Sequence, residues 1–136
     1  MATVLCRASC GVEAPLVRVE VHIAGGLPGM TIVGLPEAAV REARDRVRAA
    51  LHSSGHSLPP SRITINLAPA DLPKQGSRFD LAIALGILQA AGQLELPLEA
   101  VECVAELGLD GSLRPVRGIL PAAVACQAAG RQLICA

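Results

Sequence analysis

The sequence predicts an α+β fold, an α/β sandwich in which helices pack on a mixed sheet. Strand-type alternation and helix-type periodicity are interspersed along the chain without strict alternation. Short segments with Gly and Pro join neighbouring strand patterns, as in hairpins. Both observations fit a mixed sheet better than a doubly wound parallel fold. With 136 residues, 51% of them hydrophobic, we expect a single domain over residues 1–136.

The first three elements are predicted to be strands. Residues 3–8 (TVLCRA) and 16–23 (LVRVEVHI) both alternate, the second with valines on one face and Arg18, Glu20 and His22 on the other. The segment SCGVEAP between them predicts a tight connection, and therefore a hairpin. After a GGLPG turn, residues 30–34 (MTIVG) form the third strand.

A helix is predicted from Pro36 to about Ser54, where Gly55 ends it. One stripe of this helix is apolar and the other is charged. The charged stripe carries three arginines, Arg41, Arg44 and Arg48. They are interpreted either as a solvated face, balanced by the neighbouring carboxylates, or as a contact for DNA or another subunit.

The second half of the chain adds the remaining elements. RITINLAP (62–69) is a strand, a nearly all-apolar helix runs to Ala91, and ECVAELGL (102–109) is the next strand. Asp110-Gly111 predicts a hairpin to the extended segment SLRPV. A helix over 118–130 precedes the strand RQLICA, which has barely begun when the sequence ends. We therefore expect the chain to be a fragment of a longer protein.

Composition excludes several classes of function. Twelve basic and twelve acidic residues cancel, so no global field draws the chain to nucleic acid or to a membrane. A single Phe, without Trp or Tyr, leaves almost no aromatic surface for base stacking. The longest apolar stretch is shorter than the ~20 residues of a membrane span, and no signal peptide opens the chain, so a cytoplasmic location is expected. The scattered histidines and five unpatterned cysteines predict no metal site and free thiols.

The corner KQGSRFD (74–80), at the start of the apolar helix, is the strongest candidate site. Ser77 and Asp80 have the spacing of a capping box, which predicts a structural cap. Lys74 and Arg78 add positive charge to a helix N-terminus, a geometry suited to an anion. The anion can be a carboxylate of the same protein, such as Asp71, a carboxylate of another subunit, or a phosphate. A third interpretation makes Ser77 a nucleophile with Lys74 as its base, which the assigned cap disfavours.

The motifs VGLPE, NLAPADLPK and G-x-R-x-D-L, within a similarity that covers essentially the whole chain, resemble the N-terminal domain of the ComM/YifB family of magnesium-chelatase-like AAA+ ATPases. The resemblance implies a fold like that of the Lon protease domain and of ribosomal protein S5 domain 2. It also implies a downstream ATPase domain, absent here, that would bind ATP and Mg²⁺. No GxxxxGK[ST] loop occurs in this chain, so no cofactor is expected within it.

The same resemblance addresses catalysis. In Lon proteases the serine lies in a PKDGPSAG corner, which aligns with PKQGSRFD and puts Arg78 in the serine's place. The segment that holds the Lon lysine aligns with RGILPA and puts Leu120 in the lysine's place. Both members of the dyad are missing, so no catalytic residue is expected in this domain.

The predicted function is that of a non-catalytic accessory domain in a hexameric DNA-translocating ATPase, a helicase that promotes branch migration during natural transformation. The domain would contribute to ring assembly or DNA contact through Lys74, Arg78 and the arginines of the first helix. Two alternatives remain: a residual peptidase that uses Ser77 and Lys74, and a protein-interaction module without DNA contact.

Overall fold

The computed structural model describes residues 1–74 and 76–136, and in these ranges it has eight strands and three α-helices. The strands are β1 (Ala2–Arg7), β2 (Leu16–Ala24), β3 (Gly29–Val33), β4 (Arg62–Ala68), β5 (Val101–Val104), β6 (Glu106–Leu107), β7 (Leu113–Arg114) and β8 (Gln132–Cys135). The helices are α1 (Glu37–Ser53), α2 (Asp80–Ala90) and α3 (Ile119–Ala128), and a short 3-10 helix, Leu98–Ala100, precedes β5.

Six of the strands form one mixed sheet in the order β3-β4-β2-β1-β5-β8. β2 is antiparallel to β1 and to β4, whereas the β3–β4, β1–β5 and β5–β8 pairs are parallel. The predicted hairpin is present, and its register pairs Val4 with Val19 and Cys6 with Val17. The mixed sheet with helices confirms the predicted α+β class.

Helices cover both faces of this sheet. α2 packs on the face that carries Val4 and Val21, and a methyl group added at Gly86 of α2 would lie only 2.5 Å from Val21 Cγ2. Alternate side chains of a strand point to the opposite face. There Arg7, at the end of β1, donates from Nη2 to the Ala125 carbonyl of α3 at 3.4 Å. The layers are therefore α1 and α2, the sheet, and α3.

The periodic patterns correctly predict the buried face of each long element. Val17, Val19 and Val21 of β2 are buried while Arg18 and His22 are exposed. α2 is buried on nearly all sides, as its apolar sequence predicts. The buried residues of α1 lie on the predicted stripe, namely Ala43, Val47, Ala50 and Leu51. α1 begins at Glu37, one position after its predicted start at Pro36, which is the N-cap.

The predicted strand over residues 102–109 is divided in the structure. β5 ends at Val104, and β6 leaves the main sheet to form a two-stranded hairpin with β7 around the predicted Asp110-Gly111 turn. The break lies at Ala105, whose amide donates to the Arg78 carbonyl at 3.2 Å and whose carbonyl accepts from the Leu81 amide at 3.3 Å. The backbone here bonds the start of α2 in place of a neighbouring strand, because the helix N-terminus offers unpaired amides.

None of the helices in the described ranges is long and apolar enough to cross a membrane.

Candidate functional site

The loop before α2, residues 69–79, is stabilised by Lys74. The residue is 4% exposed, and its ammonium donates to the carbonyl oxygens of Pro69 and Leu72, the latter at 3.1 Å. Burial lowers the pKa of this amine, with Asp71 acting in the opposite direction. Gln75, which follows Lys74, lies outside the described residues. Lys74 therefore directs its charge into the loop and is not presented to solvent.

The predicted capping box is wrong. α2 begins at Asp80 with Phe79 as its N-cap, and neither side chain makes a capping hydrogen bond. Ser77 lies three residues before the helix, and its hydroxyl donates to a carboxylate oxygen of Glu106 in β6. A backbone bond from the Asp80 amide to the Ser77 carbonyl, 3.1 Å long, makes the turn that starts the helix. The capping interaction is lost because both side chains have tertiary partners.

Asp80 joins three elements of the fold. Its carboxylate accepts two hydrogen bonds from Arg46 of α1, at 2.6 and 3.2 Å, and one from the Leu107 amide of β6 at 3.2 Å. The carboxylate is 1% exposed. Burial raises the pKa of Asp80, while the hydrogen bonds from Arg46 and Leu107 oppose that rise. Arg46 also approaches Glu42, one helical turn earlier in α1, at 3.8 Å, but its bond to Asp80 is shorter at 2.6 Å.

Arg78 is buried in a different direction. Its residue is 6% exposed, Nε donates to the Arg7 carbonyl at 2.9 Å, and Nη1 donates to the Arg117 carbonyl at 2.8 Å. Nη2 has no hydrogen-bond partner in the part of the chain that the structure describes. Burial lowers the pKa of this guanidinium. No carboxylate among the described residues forms an ion pair with Arg78, so the predicted partner within the same chain is not observed.

Two clefts flank this corner. One, of about 470 Å³, is lined by Arg78 together with Ser9, Gly76, Ser77, Pro115, Val116 and Arg117. The other, of about 380 Å³, lies on the α1 side, and its lining includes both acidic and basic side chains. It is lined by Pro36, Ala38, Ala39, Glu42, Arg46, Gly76, Ser77 and Glu106. The residues Gly76 and Ser77 form the wall between them. Only the first cleft lacks a carboxylate in its lining.

The arginines of α1 lie apart from Arg78. Arg41 and Arg48 are exposed, while Arg44 is half-buried and donates to the Met30 carbonyl at 3.3 Å. Arg48 lines a cavity with Asp45, His52 and His56, and Arg78 does not line it. The five predicted contact residues therefore do not form one patch. Two, Lys74 and Arg78, are buried in the corner, and three lie on a helix face interspersed with exposed carboxylates.

The sequence patterns missed a buried ionic triad. Glu102 of β5 is fully buried and accepts hydrogen bonds from Arg7 Nε at 2.6 Å, Arg7 Nη2 at 3.0 Å and Arg131 Nη1 at 3.1 Å. Burial acts to raise the pKa of Glu102, but the hydrogen bonds from the two arginines outweigh it, and the pKa falls below its ordinary value. The sequence analysis identified ECVAELGL only as a strand, and nothing local in it indicates that α3 covers the face on which Glu102 lies.

Serine–lysine chemistry finds no support in the hydrogen bonds of the corner. Ser77 donates to Glu106, and Lys74 donates to two carbonyl oxygens. A nucleophilic serine needs a base that accepts its proton and that can pass the proton on.

In residues 1–74 and 76–136 no cluster of three or more His, Cys, Asp or Glu side chains is arranged to hold a metal ion.

Comparison with known proteins assigns the chain to a family. The model of the family described as subunit ChlI of Mg-chelatase matches residues 19–136. Competence protein ComM of Haemophilus influenzae is 57% identical over 137 residues, which cover 100% of this chain and 27% of ComM. The protein YifB is 55% identical in Salmonella typhimurium and 53% identical in Escherichia coli, with the same coverage. The chain thus spans about a quarter of the length of these relatives.

Proposed function

Because this chain belongs to the ChlI family, in its ComM/YifB group, we propose that it is a non-catalytic accessory domain of a hexameric, ATP-dependent protein that translocates on DNA. The name of the relative Competence protein ComM supports a part in natural transformation, where the full-length ring would promote branch migration as a helicase. In this proposal the domain contributes to assembly of the ring or to its contact with DNA.

The observation that carries the non-catalytic assignment is the engagement of Ser77 and Lys74 with separate partners. The Ser77 hydroxyl is bonded to Glu106, and the Lys74 ammonium is bonded to Pro69 and Leu72. The fold is compatible with that of the Lon protease domain, in which the corner before the buried helix provides the nucleophile. In this chain the corresponding positions carry Arg78 and Leu120.

Chemical labelling tests this assignment. We expect a serine-directed phosphonate to leave the chain unlabelled, because the Lys74 ammonium bonds the Pro69 and Leu72 carbonyls and is not paired with the Ser77 hydroxyl. The matched control is Ser77→Ala, which removes the only hydroxyl at issue. Labelling of the wild-type chain that disappears in Ser77→Ala would establish the peptidase alternative and overturn the non-catalytic assignment.

ATP and Mg²⁺ belong, in this proposal, to a part of the full-length protein outside residues 1–136. The sequence of this chain contains no GxxxxGK[ST], and among its described residues no cluster of three or more potential ligands is placed for a metal ion. We place the full-length protein in the cytoplasm. The five cysteines, all of them free thiols, support this location because free thiols persist in a reducing compartment.

A protein-interaction module is the second candidate, and exposed apolar side chains at α3 favour it. Leu120 is 74% exposed, Val124 59% and Val12 90%, and they line one shallow cavity. Exposed apolar groups that cluster in this way are typical of protein contacts. DNA binding by the isolated chain discriminates the two functions. Affinity that falls steeply with salt supports DNA contact, and its absence supports the interaction module.

A further inference from the structure

The cleft of about 470 Å³ beside Arg78 has the composition of a binding site for an anion. This Arg78 cleft is lined by Ser9, Gly76, Ser77, Arg78, Pro115, Val116 and Arg117. Two of these side chains are cationic and none is acidic. On a chain whose formal charges sum to zero, a cleft with cations alone is a local excess of positive charge.

Arg78 supplies a buried donor group that the protein itself leaves unused. Two carbonyl oxygens, from Arg7 and Arg117, fix Nε and Nη1, so the guanidinium cannot rotate without losing both bonds. Nη2 has no partner among the described residues, and the residue is 6% exposed. A buried cation without an anion is costly. An anion bound in the cleft that Arg78 lines supplies the missing counter-charge.

Two helices begin at this cleft. Arg78 immediately precedes Phe79, the N-cap of α2, and Arg117 immediately precedes Gly118, the N-cap of α3. α3 has neither a side-chain cap nor an acidic residue in its first turn, so its first amides keep their partial positive charge. Gly118 has φ 78°, and an added Cβ would lie 2.9 Å from Ser9 Oγ, which places that hydroxyl at the start of α3.

The neighbouring acidic groups are already paired. Asp80, in the first turn of α2, bonds Arg46 and the Leu107 amide. Glu106 accepts the Ser77 hydroxyl and lines the other cleft, on the α1 side. Since the Ser77 proton is committed to Glu106, Ser9 is the hydroxyl donor that remains for a ligand. Neither carboxylate lines the Arg78 cleft.

We propose that the Arg78 cleft binds a phosphate group, with Arg78 and Arg117 as its cationic ligands and the N-terminus of α3 and the Ser9 hydroxyl as further donors. Donors that approach from several directions suit the tetrahedral oxygens of a phosphate better than a planar carboxylate. This inference goes beyond the accessory function, because it requires neither the ring nor ATP hydrolysis. A phosphate group here could belong to inorganic phosphate or to a DNA phosphodiester, which share this chemistry.

Titration with inorganic phosphate tests the proposal. At constant ionic strength, we expect saturable shifts in the backbone amide NMR signals of Arg78, Phe79, Gly118 and Ile119, and a higher melting temperature for the ligand-bound chain. Acetate and chloride at the same ionic strength should give neither effect. A short DNA strand identifies the source: shifts of the same amides that phosphate competes away indicate a phosphodiester, and phosphate shifts without DNA shifts indicate a free phosphate.

Substitutions locate the site. Arg117→Ala should weaken phosphate binding about tenfold, as expected for loss of one charge-assisted contact. Arg114→Ala is the matched control, since Arg114 is also exposed, carries the same charge and does not line the cleft. Arg78→Lys keeps the charge but loses the planar fork, and should weaken binding while the spectrum stays that of a folded chain. Absence of saturable shifts with phosphate, or equal weakening in Arg114→Ala and Arg117→Ala, would overturn the proposal.

Discussion

At the scale of single residues, Glu102 is a buried carboxylate that two arginines contact. Glu102 lies on β5 and is fully buried between two arginines. Arg7 is at the end of β1, and Arg131 immediately precedes β8. The two guanidiniums lie against one carboxylate, so removal of its charge leaves two partly buried cations facing each other. Such a loss costs about 3–5 kcal/mol in buried ion pairs.

We therefore expect Glu102→Gln to lower the free energy of unfolding in urea by about 3 kcal/mol at pH 7. Glu95→Gln, which removes an exposed carboxylate, should change it by no more than about 0.5 kcal/mol. Equal stabilities of the two variants would contradict the role assigned to Glu102.

The same residue predicts a dependence of stability on pH. The pKa of Glu102 in the folded chain lies below its ordinary value of 4.5, because the hydrogen bonds from Arg7 and Arg131 outweigh burial. Its contribution is therefore fully present above about pH 4.5 and is lost as the pH falls through the lower folded pKa. Between pH 6 and 3, the free energy of unfolding in urea should fall less in Glu102→Gln than in wild type. An equal fall in the two proteins would contradict the low pKa assigned to Glu102.

The thiols give an independent test of burial at the residue scale. Burial raises the pKa of Cys6 to about 12 and that of Cys103 to about 11, so neither forms a reactive thiolate near neutral pH. Cys10 is exposed. Under native conditions iodoacetamide should alkylate Cys10 and spare Cys6 and Cys103 until the chain is unfolded, as peptide mass spectrometry can measure. Alkylation of Cys6 as fast as Cys10 would disagree with the packing of β1.

At the scale of elements, the close contact between α2 and the sheet depends on one glycine. An added Cβ at Gly86 would lie 2.5 Å from Val21 Cγ2 and 3.4 Å from Val4 Cγ2, both on strands in the core. Alanine is favoured over glycine within a helix by about 1 kcal/mol, but overpacking a core costs about 1–3 kcal/mol. The steric cost should win, because Val21 is fully buried and its branched side chain has little room to move.

Gly86→Ala is accordingly expected to lower the free energy of unfolding by about 1 kcal/mol, despite the better helix propensity of alanine. The control is Gly25→Ala, since a Cβ at Gly25 meets no atom within 4 Å. Thermal unfolding of both variants decides the matter. A stabilised Gly86→Ala would mean that α2 can move away from the sheet.

Elements were predictable from sequence wherever one periodic face alone met the core. The valines of β2 and the apolar stripe of α1 are of this kind, and the structure confirms both. The predicted cap failed because Ser77 and Asp80 have partners, Glu106 and Arg46, that are distant in sequence. Glu102 was missed for a similar reason: only the position of α3 on that face of the sheet makes it a buried residue.

At the scale of the whole molecule, positive charge is divided between two places. The Arg78 cleft faces the starts of α2 and α3, and the arginines of α1 lie on a separate helix face with exposed carboxylates among them. The sequence predicted both places as candidate contacts, but spacing along the chain does not tell which residues share a surface. The two places can therefore be altered independently.

The central proposal is that this domain serves an ATPase ring without chemistry of its own, through Arg41, Arg44 and Arg48 of α1 or through the Arg78 cleft. The most direct measurement compares ATP hydrolysis by the full-length protein, with and without DNA, in wild type and in a variant with Arg41, Arg44 and Arg48 changed to Glu together with Arg117→Glu. The control changes three other exposed arginines, Arg18, Arg62 and Arg114, to Glu, none of which lies on α1 or lines the Arg78 cleft.

We expect the variant to hydrolyse ATP without DNA but to lose either most of its stimulation by DNA or its ability to form the hexamer, which light scattering measures. The control should keep both the stimulation and the hexamer. Stimulation, hexamer formation and branch migration that all remain at wild-type levels in the variant would contradict the account.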